Sequence, residues 1–224
     1  MTPDFRRAAV FDVDHTLVDG WTGQLFASHL VRKQPFRVRS WRAVGRRGLN
    51  LWRAGMQRPA AVETGVRLLA GLTEADADQL ARECFDRRIK SIIFDEGVSE
   101  LVRYRCDPAC YCMLASGSSI YIVRAIAAFL GVDAAVGSRG RVQDGVITKT
   151  LSHPLCFGEG KLDRVRAHLD AEGISLKNTT FYTDSESDLP LLQAVGEPVV
   201  VNPSPMLRLT SRSRGWREEK WRRG

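Results

Sequence analysis

The chain has no run of 18 or more apolar residues, which argues against a membrane-spanning helix. Arg6 and Arg7 near the start lead straight into an Asp-containing segment, with no apolar stretch or small-residue cleavage pattern. No secretory leader is therefore expected, and the protein is expected to be cytoplasmic. Gly (19) and Pro (9) are not enriched and 44% of residues are hydrophobic, so neither a fibrous nor a disordered chain is indicated. Internal repeats and low-complexity tracts are missing too. The five cysteines, Cys84, Cys106, Cys110, Cys112 and Cys156, are odd in number and contain no CxxC pair. A metal site on Cys106, Cys110 and Cys112 would lack a histidine at ligand spacing. Cys110 and Cys112 fall on one face of an expected strand and read as reduced, buried thiols. The sharpest local absence is of acid. Between Asp19 and Glu63 there is no Asp or Glu, yet Arg32, Lys33, Arg37, Arg39, Arg42, Arg46, Arg47, Arg53 and Arg58 all fall there. A second basic run closes the chain from Arg208 to Arg223, and the net charge is +7. Both runs imply attraction to anions without saying which.

What is present reads as alternating strand and helix. With 224 residues the chain can bury a core as one domain or two small ones. Short apolar runs at Ala8 to Val13, Cys110 to Ala115, Thr180 to Tyr182 and Pro198 to Val201 predict buried parallel strands. Helical patterns follow at Ile120 to Leu130, Lys161 to Leu169 and Leu189 to Val195. Such alternation predicts a parallel sheet with crossover helices, whose site lies beyond the carboxyl ends of the strands. Two segments break the pattern. Residues 137–150 read as a β-hairpin turning at Asp144-Gly145. Residues 21–95 show only helical periodicity, a helical insertion after the first strand, and helix resumes near Gly97. Met206 to Trp216 reads as a terminal helix followed by a frayed basic end, with membrane or ribosome tethering as an alternative for that tail.

Polar clusters end these strands. Asp12-Val13-Asp14-His15-Thr16 follows the first, and strand alternation puts Asp12 and Asp14 on one side. Two such carboxylates repel unless a cation neutralises them, although Asp and Thr at a strand end also suit a turn. Ser116-Gly117-Ser118-Ser119 offers hydroxyls and backbone N–H groups at a helix start, a seat for phosphate. Asp184-Ser185-Glu186-Ser187-Asp188 opens another helix, where it could cap it or supply oxygen ligands to a hard cation such as Mg²⁺. Lys161 sits at a helix start, locally unfavourable for a cation unless an anion meets it.

Taken in order, these four clusters resemble the motifs of the haloacid dehalogenase superfamily of phosphohydrolases, subfamily IB, phosphoserine-phosphatase-like with a helical C1 cap. The resemblance implies a three-layer α/β, Rossmann-like core with a parallel sheet, formed by 1–20 and 96–224, plus an inserted all-helical cap over 21–95. It implies a Mg²⁺-dependent phosphomonoesterase in which Asp12 is the nucleophile and Asp14 the acid–base. The metal would be held by Asp12, the backbone carbonyl of Asp14, and Asp184. Ser116, Gly117 and Lys161 would bind the phosphoryl group, with Thr16, Asp188 and Ser187 in support. His15 reads as a loop filler.

The likeness to phosphoserine phosphatases departs at the substrate end. The position of their amine-binding glutamate is Trp21, and Gly65 stands where their carboxylate-binding arginine would fall. Trp21 and Arg67 are the candidate specificity positions. Trp21, Phe26, Phe36, Trp41 and Trp52 lie among the arginines. They could simply pack the cap, serve a larger or multiply anionic phosphate ester, or rest on anionic lipid. No motif supports nucleic acid as a partner. The expected partner is a small-molecule phosphate ester, with peripheral membrane contact through the basic cap as an alternative and a monomer or homodimer as the assembly. Transfer of phosphate to an alcohol, and a non-catalytic anion-binding or membrane-surface module, are the rival functions.

Overall fold

A computed structural model describes residues 5–33 and 59–222. The arginines at 37, 39, 42, 46, 47, 53 and 58 lie outside the described residues, as do Phe36, Trp41 and Trp52. Elements are numbered over the described residues.

The apolar run before Asp12 forms β1 (Arg7–Phe11), buried from Ala8 onward. Helices α1 (Thr22–Lys33), α2 (Pro59–Arg67) and α3 (Glu74–Cys84) follow, then a π turn at Phe85–Ile89 and a 3₁₀ turn at Lys90–Ile92. Next come α4 (Asp95–Arg105), β2 (Cys110–Ser119), α5 (Ile120–Leu130), β3 (Ala134–Ser138), β4 (Gly140–Gln143) and β5 (Val146–Leu151). The chain continues with α6 (Glu159–Ala171), β6 (Thr179–Thr183), α7 (Leu189–Ala194), β7 (Glu197–Val201), α8 (Pro205–Arg214) and β8 (Arg217–Glu219). Six strands form one sheet in the order β3-β2-β1-β6-β7-β8, every neighbouring pair parallel.

The strand period of two divides the core. Ala9, Phe11, Cys112, Leu114 and Val199 face one side with α4 and α5. Ala8, Val10, Met113, Phe181 and Val200 face the other with α6, α7 and α8. This is the three-layer Rossmann-like fold the sequence predicts. Between β1 and β2 every described regular element is helical. Buried residues of that segment, among them Phe26, Leu72, Ala77 and Phe85, join the same apolar cluster as the sheet. The segment is therefore seated on the core through shared hydrocarbon.

Three local expectations change. Residues 134–138 form edge strand β3 rather than leading into the hairpin, which begins at Gly140. The turn itself is as read, with positive φ at both Asp144 (51°) and Gly145 (75°), the geometry that matches strand twist. From Arg217 to Arg222 the chain is not frayed. β8 pairs with β7, and Trp221 is only 5% exposed, stacked on Tyr182. Asn202 brackets the Trp221 backbone, donating to its carbonyl at 3.0 Å and accepting from its N–H at 3.2 Å. A buried indole, hidden among the basic residues, outweighs the polar composition of this tail.

All five cysteines are free; Cys106 is exposed and the other four are buried. No described helix is long and apolar enough to cross a membrane.

Candidate active site

β1 ends at Phe11, but the backbone N–H of Asp12 still bonds to the Tyr182 carbonyl at 2.9 Å, so the sheet fixes the first carboxylate. Asp12 is 3% exposed. The chain then turns: His15, at φ 58°, takes a left-handed conformation that lets Leu17 and Val18 fold back onto the Val13 carbonyl. The His15 ring meets Trp21 edge-on, centroids 4.5 Å apart, so it packs the loop.

Lys161 enters from the first turn of α6, 3% exposed. Its ammonium donates to Asp12 Oδ1 at 2.8 Å and to Asp188 Oδ2 at 2.7 Å. The anionic partner inferred from its unfavourable place at a helix start is thus a pair of carboxylates. Gly160, just before it, lets α6 begin here, because a Cβ at that position would collide with the Leu155 carbonyl oxygen. Asp188 also accepts from Thr183 Oγ1 at 2.7 Å, while its Oδ1 is buried with no hydrogen-bond partner among the described residues. Thr16 ties two loops together. Its hydroxyl lies 3.4 Å from Asp12 Oδ2 and 3.3 Å from Asp184 Oδ1, and it accepts from the Asp184 N–H at 3.0 Å.

The electrostatics show a cation deficit. Asp12, Asp184 and Asp188 stand about a single ammonium, so full ionisation leaves two negative charges uncompensated. Burial pushes the Asp12 carboxyl up to about 7; Lys161 opposes the rise, and Asp188 and Asp14 add to it. Burial, with Asp12 and Asp188 nearby, raises Asp184 well above the usual carboxylate range. Burial alone would lower the Lys161 pKa, but Asp12 and Asp188 outweigh it and hold the ammonium charged. Desolvation pushes the neighbouring Cys156 thiol up to about 12, which leaves it a neutral filler. Among the described residues no three His, Cys, Asp or Glu side chains stand assembled as a metal cage. The raised carboxyls and the orphaned Asp188 oxygen nevertheless suit a divalent cation that completes its shell with water and substrate.

Asp14 is held apart from this cluster. Its Oδ1 accepts from the Thr22 N–H at 2.6 Å and the Thr22 hydroxyl at 2.5 Å, and its Oδ2 from the Ser118 hydroxyl at 2.9 Å. Thr22 begins α1, so the carboxylate sits at that helix's positive end. Sequence reading missed Thr22, and it read Ser118 as part of a phosphate seat rather than as a partner of Asp14; a lone Thr at a helix start signals only a cap.

Asp12, Asp14 and Lys161 floor a cavity of about 110 Å³, room for several water-sized groups. Gly117, Trp21 and Ser187 also line it. Ser116 lies beneath, 1% exposed, its hydroxyl accepting from the Ser118 N–H at 3.1 Å. Arg67 is not brought in; it is ion-paired to Glu63 at 3.3 Å and half exposed. Phe26, for which sequence reading left packing, substrate and lipid roles open, also lines the cavity, as do Val62 and Phe157, which it passed over.

Comparison with known proteins agrees with this geometry. The family model described as haloacid dehalogenase-like hydrolase matches residues 9–193. A Mycobacterium tuberculosis protein named phosphoserine phosphatase is 31% identical over 223 residues, covering 95% of this chain and 70% of that protein. A Bordetella pertussis protein of unknown function superposes with a TM-score of 0.83 at 27% identity, covering 96% of this chain and 98% of that one. A substrate-bound phosphoserine phosphatase gives a TM-score of 0.64 at 18% identity, covering 91% and 90%, which shows a shared fold. The chain accordingly belongs to the haloacid dehalogenase-like hydrolases, and within them it is a phosphatase.

Proposed function

We propose that the protein is a Mg²⁺-dependent phosphomonoesterase that carries the phosphoryl group on Asp12 between two in-line steps. The observation behind this reading is the buried Asp12–Lys161–Asp188 cluster, which presents Asp12 and Lys161 to a cavity beside a separately held Asp14.

Mg²⁺ bound by Asp12, the Asp14 backbone carbonyl and Asp184, with Asp188 in support, would neutralise the phosphoryl oxygens and admit an anionic substrate beside a carboxylate. The chain's own groups do the rest. Lys161 fixes Asp12 Oδ1, while Oδ2 has only the long Thr16 contact at 3.4 Å and keeps lone pairs available. Asp12 attacks phosphorus, and protonated Asp14 gives its proton to the departing alcohol oxygen. Asp14, now a carboxylate, takes a proton from water, which attacks phosphorus and releases Asp12 and inorganic phosphate. The Gly117 N–H, Ser116 and the Lys161 ammonium serve as the phosphoryl seat. Thr16 keeps the Asp12 and Asp184 loops in register. The segment 21–95 acts as the cap that limits water and selects the alcohol.

The test is phosphate release from p-nitrophenyl phosphate with and without Mg²⁺, comparing wild type with Asp12→Asn. Loss of more than about 10³-fold is expected for the variant. Equal rates in the two proteins would remove Asp12 from its role.

A further inference from the structure

The cavity wall says what kind of alcohol the site accepts. Its ionisable described residues are Asp12, Asp14 and Lys161, all committed to the reacting end. Everything that residues 21–95 contribute to the described wall is neutral, notably Trp21, Phe26, Val62 and Val66. Phe157 closes in from the loop before α6. Arg67, on α2, is paired to Glu63 and does not line the cavity. At Gly65 an added Cβ would meet nothing within 4 Å, so the wall is recessed there and leaves space for part of a ligand.

Gln24, Ser118, Ser119 and Ser187 are the neutral polar side chains in this surface. Ser119, 6% exposed, lines the cavity, and its Oγ is buried without a hydrogen-bond partner among the described residues. It is the N-cap residue of α5 yet makes no side-chain cap bond. A buried hydroxyl left unpartnered in the free protein is a group waiting for a ligand atom. The described wall therefore offers mostly apolar side chains and a few neutral hydrogen-bonding groups, with no charge beyond the reacting end to meet an ammonium or a carboxylate.

We propose that the substrate is the phosphate monoester of a neutral, largely apolar alcohol, of arylalkyl or alkyl type, rather than of an amino acid. This rests on the phosphomonoesterase reading above. The P–O bond to the alcohol breaks as the bond to Asp12 forms, the alcohol leaves with the Asp14 proton, and water then releases inorganic phosphate. A zwitterionic alcohol would bring two charges against the wall without partners, a desolvation cost that the apolar ester avoids. Burying a phenyl-sized group adds roughly ten- to hundredfold in binding.

The experiment measures kcat/KM for 2-phenylethyl phosphate, ethyl phosphate and phosphoserine, all esters of alcohols, using the full chain with Mg²⁺. The expected order places 2-phenylethyl phosphate at least about tenfold above ethyl phosphate and about a hundredfold above phosphoserine. Trp21→Ala should narrow the phenylethyl-to-ethyl ratio by about tenfold, chiefly through KM. Because Trp21 also touches His15, Gly65→Arg is the second variant; it places a cation in open space and should shift the ratio toward phosphoserine. Asp12-dependent turnover of phosphoserine within tenfold of 2-phenylethyl phosphate overturns the substrate class and leaves the phosphomonoesterase reading standing. Failure of all three esters to show Asp12-dependent hydrolysis overturns both.

Discussion

Replacing Thr22 with valine removes a hydroxyl and almost nothing else. Thr22 is fully buried, and valine nearly matches its volume, so no cavity opens. Each hydroxyl here has one proton to give. Thr22 and Ser118 both spend theirs on Asp14, so the 3.0 Å approach of the two hydroxyl oxygens adds no further donor. Three donors therefore hold the Asp14 carboxylate, and Thr22→Val takes away the one at 2.5 Å. A hydrogen bond to a charged group is worth roughly 1.5–3 kcal/mol. At about 2–4 °C per kcal/mol for a chain of this size, the melting temperature falls by about 3–12 °C. If Asp14 is the acid–base group, kcat falls by about tenfold, since the Thr22 N–H and Ser118 still hold the carboxylate near its place. Thermal unfolding by circular dichroism and steady-state kinetics read the two effects, and Thr22→Ser, which restores the hydroxyl, should recover most of both. A melting temperature within about 1 °C of wild type together with unchanged kcat would refute the assignment of Thr22 as the clamp on Asp14.

Other outcomes follow from the same geometry. Lys161→Met leaves Asp12 and Asp188 without their shared cation; chelated protein should lose about 3–5 kcal/mol in a urea titration, and activity should fall at least about a hundredfold. His29 is buried, which lowers its pKa against the pull of Glu83, with Lys33, Arg87 and Arg88 adding to the fall. The unfolded chain then binds a proton near pH about 6.5 that the folded chain refuses, so stability drops as pH falls below that value. His29→Gln should flatten this slope in melts taken between about pH 8 and 5; parallel slopes would contradict it. Trp221→Ala should cost about 3–5 kcal/mol, as for a core aromatic, whereas a frayed tail would lose less than about 0.5 kcal/mol.

The buried strands were legible because each is a short apolar run closed by polar residues, and α5 matches its expected span residue for residue. The acidic and hydroxyl clusters were legible because parallel topology forces strand ends to one edge, which brings Asp12, Lys161 and Asp188 within hydrogen-bond reach across 176 residues of chain. β3 escaped notice because Ala134-Ala135-Val136 is too short to show a period. β8 and Trp221 escaped because the basic residues around them mask a single buried indole. Thr22 and Ser118 carry no sequence signal of their role; only tertiary placement turns two ordinary hydroxyls into the clamp on Asp14. The apolar wall was half visible: the aromatic residues stood out, but that Trp21 and Phe26 line the cavity could not be read from spacing.

The central claim is that Asp12 becomes phosphorylated. The direct measurement is acid quenching of the enzyme during turnover of a phosphate monoester with Mg²⁺, followed by peptide mass spectrometry. The account predicts one added phosphoryl group on the peptide containing Asp12, absent from Asp12→Asn and lost over time in wild type as water completes the cycle. A phosphoryl group on any other residue, or the same adduct in Asp12→Asn, would contradict it.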